Sequence, residues 1–418
     1  MNSSQTNRMI RWILLALCLI SLGCHVEHTI EPTPLPTAAL SPSPSPVETE
    51  SALKNRTVSL LLPNGEEVVS LYTLGFRVDR IGRIRMEEPV LKEWAESFAE
   101  DYRIDPIEPQ AVFVGGKEAF QLFDGVSGSV PDCEKLIQSV QSLDPCRSGQ
   151  TIQVEFDEIM PEQDISKLRE THSLLATYTT FFTGTKLDRP NRVHNICLAA
   201  DRINGCIVEP NEVFSINQAI LDRTKQNGYK MAGAITNGIS VTEYGGGVCQ
   251  VSTTLFNAVL MSDLEVVERY HHSWPMEYAP VGRDATIATG LKDFRFRNTT
   301  DWPITIEAHV DETERSVTVS LYGKHSEAFD HIEVVSEQIK RLPSKQGETF
   351  LDASLAPGTR NIERKSRRGR ISVTYLDYYG ADGTLLRRET AFEDTYPSIG
   401  EIAYVSADLY YGTTEANE

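Results

Sequence analysis

The sequence predicts an α+β protein of several domains, and three observations lead to this fold class. The chain has 418 residues, more than the ~100–200 residues of a usual domain. Its hydrophobic fraction is 40%, which is enough for each domain to bury a core. Helical periodicity and strand-like alternation are mixed in most of the chain, whereas its last part is only strand-like. We therefore expect an N-terminal α+β module, a central α+β domain with a cysteine at a helix N-terminus, and an all-β C-terminal module.

Residues 1–24 are predicted to be an export segment. Arg8 and Arg11 precede the apolar run from Trp12 to Leu22, which is the pattern of a secretory signal peptide. The run is about half of the ~20 residues that a membrane-spanning helix needs, so a permanent transmembrane helix is the poorer interpretation. The Gly23-Cys24 junction resembles a bacterial lipobox, which implies a lipid on Cys24; ordinary cleavage or an uncleaved anchor are the alternatives. We expect the protein at the extracellular face of the bacterial cytoplasmic membrane or in the cell wall, lipid-anchored or secreted.

Residues 25–55 are predicted to be a linker. They are rich in Pro, Ser, Thr and Glu and have few large apolar side chains. At ~3.1 Å per residue, about thirty residues of extended chain reach on the order of 90 Å, which suits a target in the cell wall. The net charge of −19 argues against nucleic acid as a partner, because phosphate binding depends on fields of lysine and arginine.

Residues 56–170 are predicted to form the small N-terminal α+β module. Two strands, Thr57 to Leu61 and Val68 to Leu74, flank the turn at Pro63-Asn64-Gly65. A strand, a helix and a further strand follow at Ala111 to Val114, Asp132 to Leu143, and Ile152 to Phe156. A structural spacer without a ligand is the alternative interpretation of this module.

The cysteines of the folded part are odd in number. Two of the seven belong to the export segment, Cys18 and Cys24, and five remain: Cys133, Cys146, Cys197, Cys206 and Cys249. In an oxidising compartment the pairs Cys133/Cys146 and Cys197/Cys206 could be disulfides, which would leave Cys249 as the free thiol. The alternative is that the four are reduced and buried, and parity does not decide between the two.

The segment around Cys249 indicates nucleophilic chemistry. Three glycines, including Gly246 and Gly247, allow backbone to approach a ligand, and Gln250 to Met261 has apolar residues at helical spacing. Cys249 is thus expected at a helix N-terminus, where the positive end of the dipole favours the thiolate and free N–H groups could stabilise an oxyanion. The alternative is a small buried side chain that packs the helix start.

A nucleophilic cysteine needs a base and a group that orients it. His271 and His272 follow the helix, in the Cys-then-His order of many thiol acyl-transfer enzymes. The orienting carboxylate could be Asp284 or Asp293, and we prefer Asp293 because it enters the strand Phe294 to Arg297. Arg283 could bind a substrate carboxylate through its planar guanidinium, or form a salt bridge with Asp284 or a neighbour.

The same region closely resembles the VanW family, over roughly a third of the chain from Thr177 to about Val310. The resemblance rests on the run from Gly245 to Leu255 and on shorter matches: Tyr178-Thr179-Thr180, Asn191-Arg192, Phe214 to Asn217, Asn237-Gly238, Glu268-Arg269, His272-Ser273, Gly282 to Thr286 and Asp293 to Phe296. It favours His272 over His271, since the family pattern leaves the position of His271 variable. We place the domain at residues 171–324 and assign as its substrate-binding residues Gly246, Gly247, Gln250, Ser252 and Arg283.

The remaining chain is predicted to be all β. A hairpin at Ile304 to Val310 and Val317 to Tyr322 precedes residues 328–408, where short strands alternate with turns. These residues resemble the G5 domain, a frequent companion of VanW domains, and Phe120 to Phe156 weakly resembles the peptidoglycan-binding module that often precedes them. A basic run from Arg360 to Arg370 could bind anionic wall polymers, or be a solvated loop.

The resemblance implies action on peptidoglycan, and some VanW members are thought to be cysteine L,D-transpeptidases. The expected catalytic residues are then Cys249 and His272 with Asp293 or Asp284, and neither a cofactor nor a metal is expected. The expected partners are peptidoglycan stem peptides and glycan, together with the membrane through the lipid on Cys24. A non-catalytic peptidoglycan-binding adaptor and a thiol peptidoglycan hydrolase are the alternatives.

Overall fold

A computed structural model describes residues 48–116, 118–182, 189–236 and 239–414. Cys24, the predicted export segment, most of the predicted linker and the Asn237-Gly238 pair lie outside the described residues. Within the described ranges, every helix is too short or too polar to cross a membrane. The folded part begins before the predicted linker ends, because Glu50–Asn55 is a helix and its Leu53 is buried in the first core.

The N-terminal module has a core of its own. Its elements are, in chain order, α1 (Glu50–Asn55), β1 (Thr57–Leu62), β2 (Gly65–Ser70), β3 (Phe76–Val78), β4 (Ile84–Met86), α2 (Glu88–Asp101), β5 (Gln110–Phe113), β6 (Phe120–Phe123), β7 (Gly128–Pro131), α3 (Cys133–Gln141), β8 (Gln150–Gln153), β9 (Phe156–Ile159) and α4 (Ile165–Thr171). One sheet has the order β2-β1-β8, with β8 parallel to β1. The apolar faces of α2 and α3, including Leu91, Phe98 and Leu136, pack into the core of this module.

The module contains the predicted hairpin and helix, together with several short elements that the sequence analysis does not predict, and its second strand ends at Ser70 instead of Leu74. The hairpin and the helix after Asp132 are present, and the Asp132 side chain caps α3 by accepting from the Lys135 amide at 3.0 Å. The strand predicted through Phe156 is instead two strands, because β8 ends at Gln153 and β9 pairs with β7 in another sheet. Helix α2 was not predicted.

The central domain is built on a four-stranded antiparallel sheet. Its elements are β10 (Ser173–Phe181), α5 (Pro190–Ile203), β11 (Ile207–Val208), β12 (Val213–Ser215), α6 (Ile216–Ile220), β13 (Met231–Thr236), β14 (Ile239–Tyr244), α7 (Val248–Met261), β15 (Glu265–Glu268), β16 (Arg295–Arg297), β17 (Ile304–Asp311) and β18 (Ser316–Gly323). The sheet order is β10-β18-β17-β11, and a second sheet has the order β12-β16-β15. Helix α7 packs on β10 and β18, and α5 packs on β17 and α7.

Helix α7 is the central helix of this domain. Every residue from Gln250 to Leu260 is buried, so the helix has no solvent-facing stripe. Its polar side chains, apart from Ser252, are bonded within the core: the Thr254 hydroxyl donates to the Gln250 carbonyl at 2.8 Å, and the Asn257 amide donates to the Arg283 carbonyl at 2.8 Å. The helix therefore holds its first turn, which carries Cys249, in a fixed position.

The C-terminal module consists of two three-stranded sheets. Its elements are β19 (His331–Arg341), β20 (Glu348–Leu351), β21 (Arg360–Arg364), β22 (Arg370–Tyr379), β23 (Leu385–Tyr396), β24 (Ile402–Val405) and a final helix, α8 (Ala407–Thr414). The sheet orders are β19-β22-β23 and β20-β24-β21. Val334, Leu376 and Phe392 of the first sheet pack against the core of the central domain. The predicted α+β multidomain fold class is confirmed, with a β module at the C-terminal end.

Candidate active site

The glycine run positions Cys249 by close backbone packing. Gly247 precedes α7 with a φ of 114°, in the left-handed region that favours glycine. A Cβ on Gly246 would lie 2.7 Å from the Gly233 carbonyl oxygen, and one on Gly247 would lie 2.8 Å from Cγ of Arg192. The hairpin β13–β14 and helix α5 therefore lie directly against the start of α7. Cys249, the second residue of the helix, lies at the positive end of its dipole.

The Cys249 thiol is half-buried and surrounded by polar atoms. Its Sγ lies 3.6 Å from the Thr286 hydroxyl and 3.6 Å from the Ile287 carbonyl oxygen. Burial is the largest single influence and raises the pKa of this thiol, but the hydrogen bond and charge of His272, together with the hydrogen bonds to Ile287 and Thr286, outweigh it and lower the pKa to about 7. A large fraction of Cys249 is therefore thiolate at neutral pH, which is the nucleophilic form.

His272 is paired with a buried carboxylate. Its Nδ1 lies 2.5 Å from Asp284 Oδ2, and its backbone amide donates to the same oxygen at 2.7 Å. Burial lowers the pKa of His272, but hydrogen bonds with Asp284 and Cys249 outweigh it and raise the pKa to about 9. Since Nδ1 is committed to Asp284, Nε2 is the ring nitrogen available to the thiol.

The buried Asp284 remains ionised in this arrangement. Its side chain is 1% exposed. Burial raises the pKa of the carboxyl, but hydrogen bonds from His272 and Tyr396 and the charge of His272 reverse the effect, and its pKa lies below the usual value. Cys249, His272 and Asp284 are thus connected in that order, which is an arrangement that can supply a nucleophile, a base and an orienting carboxylate.

The central domain is similar in sequence to known proteins. The model of the family described as VanW like protein matches residues 191–322. The chain carries a VanW-like domain. It is 40% identical over 169 residues to the uncharacterized protein YoaR of Bacillus subtilis, covering 40% of this chain and 52% of YoaR. It is 33% identical over 150 residues to the Vancomycin B-type resistance protein VanW of Enterococcus faecalis, covering 35% of this chain and 54% of that protein. The chain therefore spans about half the length of these two curated relatives.

Two solved G5 domains align with a small part of the chain. One is the G5 domain of HP0197, with 20% identity over 18% of this chain and 97% of that chain and a TM-score of 0.11. The other is the G5 domain of IgA1 protease, with 17% identity over 18% of this chain and 89% of that chain and a TM-score of 0.14.

The preferred carboxylate, Asp293, is not at the site of the VanW-like domain. Its Oδ2 accepts from the Ser215 hydroxyl at 2.5 Å, and its Oδ1 accepts from the amides of Asn217 at 3.1 Å and Phe294 at 2.8 Å. Asp293 therefore holds the start of α6 against β16. The preference for Asp293 is wrong on this geometry, and Asp284 is the carboxylate that contacts His272.

Arg283 is also placed differently from the prediction. Its Nε donates to the Asn257 side-chain oxygen at 2.7 Å, and its Nη1 donates to the Val334 carbonyl at 2.9 Å. The guanidinium lies 4.9 Å from the centre of the Tyr178 ring. Arg283 thus connects α7 to the C-terminal module, and no salt bridge joins it to Asp284 among the described residues; its role in substrate binding stays a prediction.

Of the other predicted substrate-binding residues, Gln250 and Ser252 are fully buried in α7. Gln250 accepts from Arg192 Nη2 at 2.9 Å and donates to the Thr180 hydroxyl at 3.0 Å, so its polar atoms are used inside the domain. The Ser252 hydroxyl finds no hydrogen-bond partner among the described residues. Gly246 is buried against the hairpin, and only the half-buried Gly247 lies beside the thiol at the helix start.

Several residues of the site were not predicted from the sequence. Tyr278 lies with its ring centre 6.4 Å from that of His272. Burial, followed by the charges of Cys249 and Asp284, raises its pKa well above the usual value, so the phenol is neutral and able to donate a hydrogen bond. Tyr396 donates to Asp284 Oδ1 from the C-terminal module. The family match at Glu268-Arg269 was a signal for Arg269, which lies beside Asp284, whereas no local pattern indicates Tyr396.

The described residues contain neither a disulfide nor a cluster of metal-binding side chains. All five cysteines of the folded part are free, so the pairs Cys133/Cys146 and Cys197/Cys206 are not bridged. Within the described ranges, no group of three or more His, Cys, Asp or Glu side chains is arranged to hold a metal ion.

Proposed function

We propose that this protein acts on the peptide stems of bacterial peptidoglycan as a cysteine acyl-transfer enzyme of the L,D-transpeptidase type. The observation that carries the proposal is the connection of Cys249, at the start of α7, to His272 and Asp284. The VanW-like domain and the similarity to YoaR and VanW support a function related to the cell wall.

The first half-reaction forms a thioester. The Cys249 thiolate attacks the carbonyl carbon on the L-centre side of the last peptide bond of a tetrapeptide stem. The amides of Val248 and Gln250 are bonded to the carbonyls of Gly245 and Gly247, so the Cys249 amide and the neutral Tyr278 phenol are the candidate donors to the oxyanion. The His272 imidazolium then gives its proton to the departing amine of D-alanine.

The second half-reaction resolves the thioester. An amine from a second stem attacks the acyl carbon, and neutral His272 accepts the proton that this amine loses. The thiolate leaves, the new amide joins the two stems, and the thiolate–imidazolium pair is restored. Attack by water would release a tripeptide stem instead, so the same residues would then perform hydrolysis.

The parts of the chain outside the central domain would bring the site to its substrate. We propose a lipid on Cys24 that holds the protein at the extracellular face of the cytoplasmic membrane, glycan as the ligand of the N-terminal module, and anionic wall polymers as ligands of the basic run. Arg360, Lys365, Arg367, Arg368 and Arg370 of that run are exposed. If the protein carries no acyl chain by mass spectrometry of a membrane extract, the anchor is excluded.

The central test is product formation from purified disaccharide-tetrapeptides. We expect the full-length protein to form crosslinked dimers with release of D-alanine, and Cys249→Ala to form none. Cys197→Ala is the matched control, because Cys197 is a second half-buried free cysteine packed on the same core. Tripeptide products without dimers would identify a hydrolase. Dimers formed by Cys249→Ala at the wild-type rate would exclude Cys249 as the nucleophile, and a wild-type protein that forms neither dimers nor tripeptides would be a non-catalytic adaptor.

A further inference from the structure

The C-terminal module reaches the catalytic carboxylate directly. Asp284 Oδ2 faces His272, and Asp284 Oδ1 accepts a hydrogen bond from the Tyr396 hydroxyl. Tyr396 is the last residue of β23 and is 1% exposed. Each oxygen of the carboxylate thus has a fixed partner, one from the VanW-like domain and one from the C-terminal module.

The Tyr396 hydroxyl also holds the turn that carries Asp284. It accepts from the Gly282 amide at 3.0 Å while it donates to the carboxylate. The Thr374 hydroxyl of β22 donates to the Gly282 carbonyl at 3.0 Å, and the Ser336 hydroxyl of β19 donates to the Val281 carbonyl. All three strands of one sheet therefore bond to residues 281–284, so the turn is fixed from outside its own domain.

A second contact from the same sheet balances the charge beside Asp284. Arg269 donates through Nη1 to both oxygens of Asp394 at 2.7 Å, and its Nη2 lies 3.7 Å from Asp284 Oδ1. The side chains of Arg269 and Asp394 are 3% and 7% exposed. Without Asp394, the buried Arg269 cation would compete with His272 for Asp284, because Coulomb interactions are strong where water is excluded.

We propose that the C-terminal module completes the active site, with Tyr396 as a positioning residue that holds Asp284 against His272 and so keeps Cys249 reactive. The inference deepens the proposed function and rests on it for the reaction that the thiol performs. The physical basis of the inference does not depend on the reaction, because the hydrogen bonds of Tyr396 act on the position of Asp284 and His272. The VanW-like domain alone would possess the nucleophile and its base without the contacts that fix their orienting group.

Few ionisable groups lie near Cys249 and Asp284. Cys249 is influenced by His272, Tyr278 and Arg192. Asp284 is contacted by His272, Arg269 and Tyr396, with Asp394 beyond Arg269 and the His271 ring 4.7 Å from the Tyr396 ring. Of these groups, only Tyr396 and Asp394 come from the C-terminal module.

The test compares two tyrosines of the same sheet. Tyr378 of β22 is also 1% exposed and also donates across the module boundary to a carboxylate, Asp263, but at the far end of α7. Tyr396→Phe and Tyr378→Phe in the full chain therefore remove the same group from matched surroundings. The measurement is the rate of iodoacetamide alkylation of Cys249, followed by peptide mass mapping from about pH 5 to about pH 10.

We expect the wild-type rate to rise with a midpoint at about pH 7. In Tyr396→Phe the midpoint should move up by about one pH unit, so alkylation at neutral pH falls about five-fold while the rate at about pH 10 is unchanged. Tyr378→Phe should titrate like the wild type. Asp394→Asn should shift the midpoint in the same direction as Tyr396→Phe, because an uncompensated Arg269 disfavours the imidazolium.

An unchanged or lower midpoint in Tyr396→Phe, or an equal shift in Tyr378→Phe, would overturn the inference. Because alkylation requires no peptidoglycan, the outcome is independent of the reaction. A shifted midpoint in a protein that forms no crosslinked product would refute the proposed function and leave the positioning role of Tyr396 standing. Normal crosslinking with an unshifted midpoint would refute the positioning role of Tyr396 and leave the proposed function standing.

Discussion

Replacement of Asp284 by asparagine is expected to remove most of the activity while preserving the shape of the site. The carboxylate holds Nδ1 of His272, and it is one cause of the raised pKa of the imidazole. An amide at this position carries no charge and can present its NH₂ to Nδ1, which would favour the wrong tautomer of the ring. Both effects reduce the fraction of the protein in which Cys249 is a thiolate and His272 is an imidazolium.

The size of the loss follows from the two pKa values. At about pH 8, a Cys249 pKa of about 7 and a His272 pKa of about 9 leave about nine in ten thiols ionised and about nine in ten imidazoles protonated. A full return to the ordinary values of 9.0 and 6.5 would leave about one in ten and about one in thirty. Cys249 would retain the helix dipole and its contacts with Thr286 and Ile287, so we expect a loss in kcat/KM of about a hundred-fold.

The assay is release of D-alanine from disaccharide-tetrapeptides, with circular dichroism of each variant to verify the fold. Asp293→Asn is the matched control, since Asp293 is the other candidate carboxylate and its side chain accepts from Ser215, Asn217 and Phe294 instead of from His272. It should lose about 1 kcal/mol of stability and little activity. If Asp284→Asn stays within about three-fold of the wild type, or if Asp293→Asn loses as much as Asp284→Asn, the assignment of Asp284 is refuted.

Four further results are expected. The pH profile of kcat/KM should be bell-shaped, rising through about pH 7 as Cys249 ionises and falling through about pH 9 as His272 loses its proton; a profile flat across this range would exclude the ion pair. Near neutral pH, alkylation should label Cys249 faster than Cys133, Cys197 and Cys206, because burial raises the pKa of those three thiols; equal labelling would contradict this. Gly246→Ala should destabilise the fold by about 1–3 kcal/mol in thermal denaturation, because its Cβ would meet the Gly233 carbonyl oxygen at 2.7 Å, whereas Gly233→Ala enters open space and should be nearly neutral. Cys249→Ala and His272→Ala should each abolish most of the activity and the double variant should be little worse, and additive losses would mean separate roles.

The sequence predicts those parts of the site that depend on local pattern. The run of glycines before an apolar helix places Cys249 at the start of α7, and the structure has it there. The position of a strand or helix follows from periodicity within a few residues, as for β17 and β18. Helix α5 was missed although Val193, Ile196 and Ala200 repeat at helical spacing and are buried, so the signal was present.

The choice between Asp284 and Asp293 could not be made from the chain order. Both follow His272 in the chain, and both have backbone amides and side chains nearby to hydrogen-bond. Only the path of the chain, which brings Asp293 to the start of α6 and Asp284 to the imidazole, separates them. Tyr396 is harder still, because it lies 112 positions after Asp284 in the sequence and the contact depends on how two domains pack.

The burial of α7 on all sides also affects which parts of the protein can move near Cys249. An amide exchanges its hydrogen with solvent only when its hydrogen bond opens, and amides deep in a core open only with the whole domain. The backbone from Gln250 to Leu260 should thus be the slowest part of the chain to take up deuterium. Fluctuations that admit a substrate must then come from surrounding loop segments that these hydrogen bonds leave out, such as residues 273–280, while the thiol keeps its position.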